Sequence, residues 1–276
     1  MKRTMAKRTL AIRSCSLALA AIVLSGCSPR EKSSATSDTP SLKIAAASDL
    51  QGALAKIANQ FEARSACRVV ISFGSTGQLA QQIEHGAPFD VFASANVSHL
   101  EAMKAKNLIL ADTMQRYARG RIVLVVKKNS SHSVTRLEDL IRPEIKHVAI
   151  ANPSHAPYGL AARQALERAG LWNQLEPKVV LGENVRQAMQ YVETGNAEAG
   201  ITALSLAIAD DQPRTLIDET LHDPIEQTIA VLAGSKNPSL SREFVGFVTG
   251  PDGQVVLRKF GFQIPTQVNS SDIANP

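Results

Sequence analysis

Leu42-Lys43-Ile44-Ala45-Ala46-Ala47-Ser48-Asp49-Leu50 changes its hydrophobic period in the middle. Residues 42–47 form a short, nearly continuous apolar run, the pattern of a strand buried on both faces. Beyond Ser48 the apolar positions fall at Leu50, Leu54, Ile57 and Phe61, which predicts an amphipathic helix. The same change recurs twice downstream. Arg68-Val69-Val70-Ile71-Ser72-Phe73 hands over through Gly74-Ser75-Thr76-Gly77 to a helix carrying Leu79 and Ile83. Asp90-Val91-Phe92-Ala93-Ser94 hands over through Ala95-Asn96 to a helix through Leu100 and Met103. Strands alternating with helices predict an α/β fold built on parallel sheets.

A second set begins at Arg121. Strands are expected at residues 122–126, 147–151, 178–181, 199–204 and 227–232, with helices from Tyr158 to Ala169 and from Val185 to Thr194. Gly170 and Gly195 stand where helix C-caps want glycine. Two further helical patterns run to Phe260, and no internal repeat stands out. The stretch from about Ser41 to Pro265 is long for one simple core and suits two lobes.

The N-terminal segment belongs to a different class. Lys2, Arg3, Lys7, Arg8 and Arg13 precede an apolar run over residues 17–24, which ends at Ser25-Gly26-Cys27. A basic head, a short apolar body and small residues at a cleavage point read as a secretory signal over residues 1–26. The apolar run is shorter than the roughly 20 residues a membrane-spanning helix takes. Leu24-Ser25-Gly26-Cys27 resembles a bacterial lipobox, in which Cys27 carries lipid, against the plainer reading of ordinary cleavage nearby. Residues 28–40 hold one alanine and no larger apolar side chain, so residues 27–40 are expected to be a disordered tether.

Removal of the signal also removes the net charge. The whole chain carries 30 basic and 25 acidic residues; five of the basic ones lie in residues 1–26, so the remainder is balanced at 25 each. That excludes the basic footprint of a nucleic-acid binder. Cys15 lies in the signal and Cys27 at its end, leaving Cys67, which cannot form an internal disulfide and is expected to be a small buried residue. No Cys/His spacing suits a metal, and no cofactor is expected.

The strand-to-helix turns carry the chemistry. Ser48, Ser75-Thr76 and Ala95 follow three strands of the first set, and Gly182-Glu183-Asn184-Val185 opens a helix in the second. First-turn N–H groups lack intrahelical partners and the helix dipole favours anions there. Hydroxyls add donors without charge. Helix capping alone would also select serine and threonine. Three such turns at the carboxyl ends of one parallel sheet, however, mark where open α/β folds bind ligands. Gly74-Ser75-Thr76-Gly77 lacks the lysine of a P-loop, and no arginine is present to clamp a carboxylate. Neutral donors suit a small, fully deprotonated oxyanion. Asp49 is the nearest acceptor for a protonated one, or else a solvated first-turn acid.

At these residues the chain resembles the periplasmic molybdate-binding protein family, of the two-lobed type II periplasmic binding fold with a ligand cleft between lobes. The resemblance spans nearly all of residues 42–265 and includes Ala45-Ala46-Ala47-Ser48, residues 73–79, residues 86–95, Asn152-Pro153 with Ala156-Pro157-Tyr158-Gly159, Glu183-Asn184-Val185 and Phe260-Gly261-Phe262. It implies one lobe from residues 41–120 and 229–266, a second from residues 121–228, and a tail over residues 267–276. It implies molybdate or tungstate held by Ser48, Ser75, Thr76, Ala95, Tyr158 and Val185, the metal atom being reached only through its oxygens. Some members place a tyrosine where this chain has Ala203; here Tyr158 stands as the replacement hydroxyl donor, or packs between the lobes. The implied role is an exported, lipid-anchored protein at a membrane, delivering its ligand to ABC permease subunits after hinge closure. Another tetrahedral oxyanion, sulfate or phosphate, is the alternative ligand. A serine hydrolase would need a histidine base; of His85, His99, His132, His147, His155 and His222 none lies in a catalytic motif, and only His155 falls near the expected cleft.

Overall fold

The computed structural model describes residues 39–130 and 133–264. The expected signal (1–26), Cys27, most of the tether, the tail (267–276) and His132 lie outside the described residues. The first sheet is assembled from β1 (Ser41–Ala47), β2 (Arg68–Gly74), β3 (Val91–Ser94), β4 (Gln115–Gly120) and β10 (Ile225–Val231), in the order β2-β1-β3-β10-β4. The second uses β5 (Ile122–Val126), β6 (Val148–Ala151), β7 (Val179–Gly182), β8 (Ala199–Ala203) and β9 (Arg214–Leu216), in the order β7-β6-β8-β5-β9. The two orders match: a parallel trio, then an antiparallel strand, then an edge strand antiparallel to it. No sequence repeat announces this likeness.

Helices α1 (Gln51–Glu62), α2 (Thr76–Glu84) and α3 (Val97–Ala105) follow β1, β2 and β3, while α8 (Pro238–Thr249) and α9 (Pro251–Lys259) return to pack on α1. Phe61 of α1 meets Phe244 of α8 edge to face, with centroids 5.3 Å apart. Around the second sheet lie α4 (Pro157–Arg168), α5 (Trp172–Leu175), α6 (Val185–Thr194) and α7 (Leu204–Ala209). Pro157 opens α4, where a missing N–H costs nothing, and Gly170 follows its end at φ +72°. Cys67 is buried and free, as its surroundings predict.

Two expectations are corrected. The sheets are mixed rather than wholly parallel, because β10 pairs antiparallel with both β3 and β4, and β5 pairs antiparallel with β8 and β9. Strand β4 escaped the sequence reading because Gln-Arg-Tyr-Ala-Arg-Gly offers neither an apolar run nor clean alternation. The chain passes between sheets at Gly120–Ile122 and again ahead of Ile225, and Ile225 pairs with Gly120. Both passages therefore lie side by side, next to the turns that end β1 and β3.

Candidate functional site

Register brings the turns together. Ala47 pairs with Gly74, and Ala46 with Ala93, so the carboxyl ends of β1, β2 and β3 sit level. Across from them, Ala151 pairs with Gly182, levelling the starts of α4 and α6. Between the two sets is a cavity of about 10 Å³, lined by Ala47, Ser48, Asp49, Gly74, Ser75, Thr76 and Ala95 from one side and Ala156, Pro157, Tyr158 and Val185 from the other. All six residues expected to hold the anion line this one space. It falls below the roughly 300–1,000 Å³ of pockets for drug-sized ligands. No lysine or arginine lines it.

The donors are distinct in origin. The Ser48 hydroxyl has no hydrogen-bond partner among the described residues, although Ser48 is buried. Ser75 is the N-cap of α2; its hydroxyl donates to the His155 carbonyl at 2.6 Å, and the Nδ1 of His155 lies 2.8 Å from Ser75 Oγ. Thr76 accepts from the Ala95 N–H at 3.2 Å, so that N–H reaches the site through the Thr76 hydroxyl. On the far side, Asn184 caps the N–H groups of Arg186 and Gln187, leaving the Val185 N–H as the first-turn donor of α6. Ala156 caps α4 without a side-chain bond, which leaves the Tyr158 N–H free of a capping group. The starts of α2, α4 and α6 thus converge on one small volume, and their dipoles add there.

Close backbone approach sets this geometry. A Cβ on Gly77 would come within 2.8 Å of the His155 carbonyl, to which the Gly77 N–H donates at 2.9 Å. Gln78 reaches Glu183 at 2.7 Å beside the same contact. The two sides of the cavity therefore meet through α2 and the loop before α4.

Tyr158 departs from expectation. Its hydroxyl donates to Asp49 Oδ2 at 3.0 Å rather than standing free for an anion. Gln227 Nε2, from β10, donates to the same oxygen at 2.7 Å. The Ser205 hydroxyl, at the start of α7, donates to the Asp49 carbonyl at 2.7 Å. Asp49 is not a solvated first-turn acid: it is 1% exposed, and burial pushes its carboxyl up to about 7 against the pull of the Tyr158 and Gln227 hydrogen bonds. Its Oδ1 has no hydrogen-bond partner among the described residues. Burial, and then the neighbouring Asp49 charge, hold the Tyr158 phenol well above its ordinary range, so it remains a donor. Gly120 makes the arrangement possible, since a Cβ there would sit 1.9 Å from the Tyr158 hydroxyl oxygen. Gln227 and Gly120 were not singled out by sequence; neither lies in a strand-to-helix turn.

His155 does not complete a hydrolytic triad. The Ser75 hydroxyl has the His155 carbonyl to donate to, whereas a triad serine gives its hydrogen to the histidine base. Glu183 lies 3.9 Å from the other ring nitrogen and is 64% exposed. A wider groove of about 600 Å³ lies between α4 and β7, walled by Leu160, Leu181 and Trp172. Of its charges, Arg163, Glu167 and Glu176, the first two pair with one another at 2.7 Å.

Known proteins match this arrangement throughout its length. Residues 42–263 match the family described as bacterial extracellular solute-binding protein. A molybdate-binding protein of Azotobacter vinelandii is 33% identical over 225 residues, covering 80% of this chain and 89% of its own. The molybdate-binding protein of Escherichia coli is 32% identical over 238 residues, covering 83% of this chain and 91% of its own. The solved structure of the Azotobacter vinelandii periplasmic molybdate-binding protein superposes with a TM-score of 0.77 at 30% identity, covering 82% of this chain and 100% of that one.

Proposed function

The chain belongs to the family of bacterial extracellular solute-binding proteins, and on that premise we propose that it captures molybdate, and equally tungstate, for an ABC importer. The observation that carries this reading is the small cavity walled by neutral donors from both sheets, without a lysine or arginine. A tetrahedral dianion takes up hydroxyl hydrogens from Ser48 and Thr76 and main-chain N–H groups from Tyr158 and Val185, and the Ser75 hydroxyl must turn from the His155 carbonyl to join them. Charge-assisted hydrogen bonds of this kind are roughly twice as strong as neutral ones. Ala95 acts one step back, by orienting the Thr76 hydroxyl.

Binding and transport then follow from the two passages at Gly120–Ile122 and Ile225. The sheets swing apart about them, an anion enters, and contacts to both walls favour the closed form in proportion to their differential strength. The closed form is what permease subunits read. Lipid on Cys27 keeps the exported protein at the membrane. The protein binds and does not transform its ligand, in keeping with the Ser75–His155 geometry.

Thermal unfolding of residues 27–276 with molybdate, tungstate, sulfate and phosphate in turn tests the reading. Molybdate or tungstate at about 100 times its dissociation constant adds roughly 2.7 kcal/mol of stability. A rise with sulfate or phosphate and none with molybdate overturns the assignment. Turnover of a simple ester would restore the hydrolase.

A further inference from the structure

Asp49 is a carboxyl at the wall of an anion site, and that placement demands an explanation. It lines the cavity with the uncharged donors and is almost fully buried. A carboxylate and an oxyanion in one small space oppose each other, and the opposition grows as water is excluded. No cation is there to relieve it. Tyr158 of α4 and Tyr117 of β4 are the titratable groups facing Asp49, and both are neutral phenols. Gln227 of β10 and Ser205 of α7 contribute only uncharged donors. Helix α6 packs on the same turn, but its Arg186 is engaged by Asp210 and Glu193. Among the described residues Asp49 makes no ion pair.

The hydrogen bonds show where a proton would reside. Oδ2 accepts from both Tyr158 and Gln227, whereas Oδ1 has no partner among the described residues. A carboxylate would spread its charge over both oxygens and leave one unsatisfied. A carboxylic acid keeps Oδ2 as the carbonyl-like acceptor and carries the hydrogen on Oδ1, which removes the buried charge and leaves that hydrogen without an acceptor among the described residues. The partners also come from opposite walls. Asp49 precedes α1 on the first-sheet side, and Tyr158 lies on α4 beside the second sheet. Burial of the carboxyl therefore depends on the walls meeting, and separation would return it to water.

Building on the oxyanion-capture reading, we propose that Asp49 is a specificity-determining residue that takes up one proton from solvent with each oxyanion captured. A neutral Asp49 lets a fully deprotonated dianion enter without charge opposition. An anion bearing its own hydroxyl would meet an acid at this wall in place of an acceptor, which selects against hydrogen phosphate.

The direction of the pH effect follows. Closure raises the carboxyl from its ordinary range to about 7, burial being the cause, and a dianion beside it raises it further. The protonated form is the one closure favours, so affinity is greatest at low pH. Affinity is lost as pH rises through the closed-state value, by at most about tenfold per unit, and levels off above it.

Isothermal titration with sodium molybdate, between pH 6.5 and 8.5 and in buffers of differing ionisation heat, is the test. For the unmodified chain the affinity is expected to fall several-fold across that window, with roughly half a proton or more taken up per anion near pH 7. Asp49→Asn keeps an acceptor for Tyr158 and an N–H₂ in place of the acid hydrogen; its affinity is expected to be flat with pH and, at pH 8.5, no weaker than that of the unmodified chain. Binding without proton uptake, or an unchanged slope in Asp49→Asn, overturns the proposal and leaves the capture reading intact. If neither molybdate nor tungstate binds at pH 6.5, the capture reading falls and this proposal with it. Should the variant fail to fold, the proton count on the unmodified chain decides alone.

Discussion

On the first-sheet side the cavity is walled by hydroxyl side chains, Ser48, Ser75 and Thr76, whereas on the second-sheet side Ala156, Pro157 and Val185 supply only main-chain groups and Tyr158 turns its hydroxyl to Asp49. The difference has a physical root. On the first side, two of the three hydroxyls are already ordered by neighbours, Ser75 by His155 and Thr76 by Ala95. On the second side the donors are set by where helices begin, through Pro157 at the start of α4 and the Asn184 cap of α6. A side-chain donor is lost by one substitution; a main-chain donor survives most of them. Sequence variation should therefore damage the first wall directly and the second only through packing.

Ser48→Ala combined with Thr76→Ala strikes the side-chain wall. Hydrogen bonds to charged groups are worth about 1.5–3 kcal/mol each, so molybdate affinity should fall by about a hundredfold or more. Titration calorimetry would read it, and an undiminished affinity would place the pocket elsewhere. Gly120→Ala acts on the second wall through packing, because its Cβ displaces the Tyr158 ring. Overpacking of that kind costs about 1–3 kcal/mol. Roughly tenfold weaker binding should accompany the lower midpoint, by differential scanning and titration together; wild-type values for both would mean that the Tyr158 placement is dispensable. Val185→Ala should do least. It keeps the N–H and removes two buried methyl groups, so stability drops by about 1–2 kcal/mol while affinity stays within about twofold. A large loss of affinity there would erase the distinction between the walls.

Much of this was legible in the chain itself. The strand-to-helix change at Ser48 and its repetition at Ser75 and Ala95 are local patterns, and local patterns are what periodicity records. The absence of lysine and arginine from those turns, and the balanced charge once the N-terminal segment is set aside, narrowed the ligand to a small anion met by neutral donors. Val185 was visible because Asn184 ahead of it reads as a helix start.

Asp49 was visible only as a residue, not as an environment. Its partners Tyr158 and Gln227 lie 109 and 178 positions away. They meet because β10 returns antiparallel to the first sheet beside β4, and β4 carries no apolar pattern that would have revealed it. Burial of a carboxyl, the oxygen left without a partner and the glycine that makes room for a phenol are all properties of elements brought together. Sequence fixes the turns, since each is a few consecutive residues obeying short-range rules. Only the tertiary structure decides what a carboxyl between two of them must do, because its charge state depends on everything packed around it.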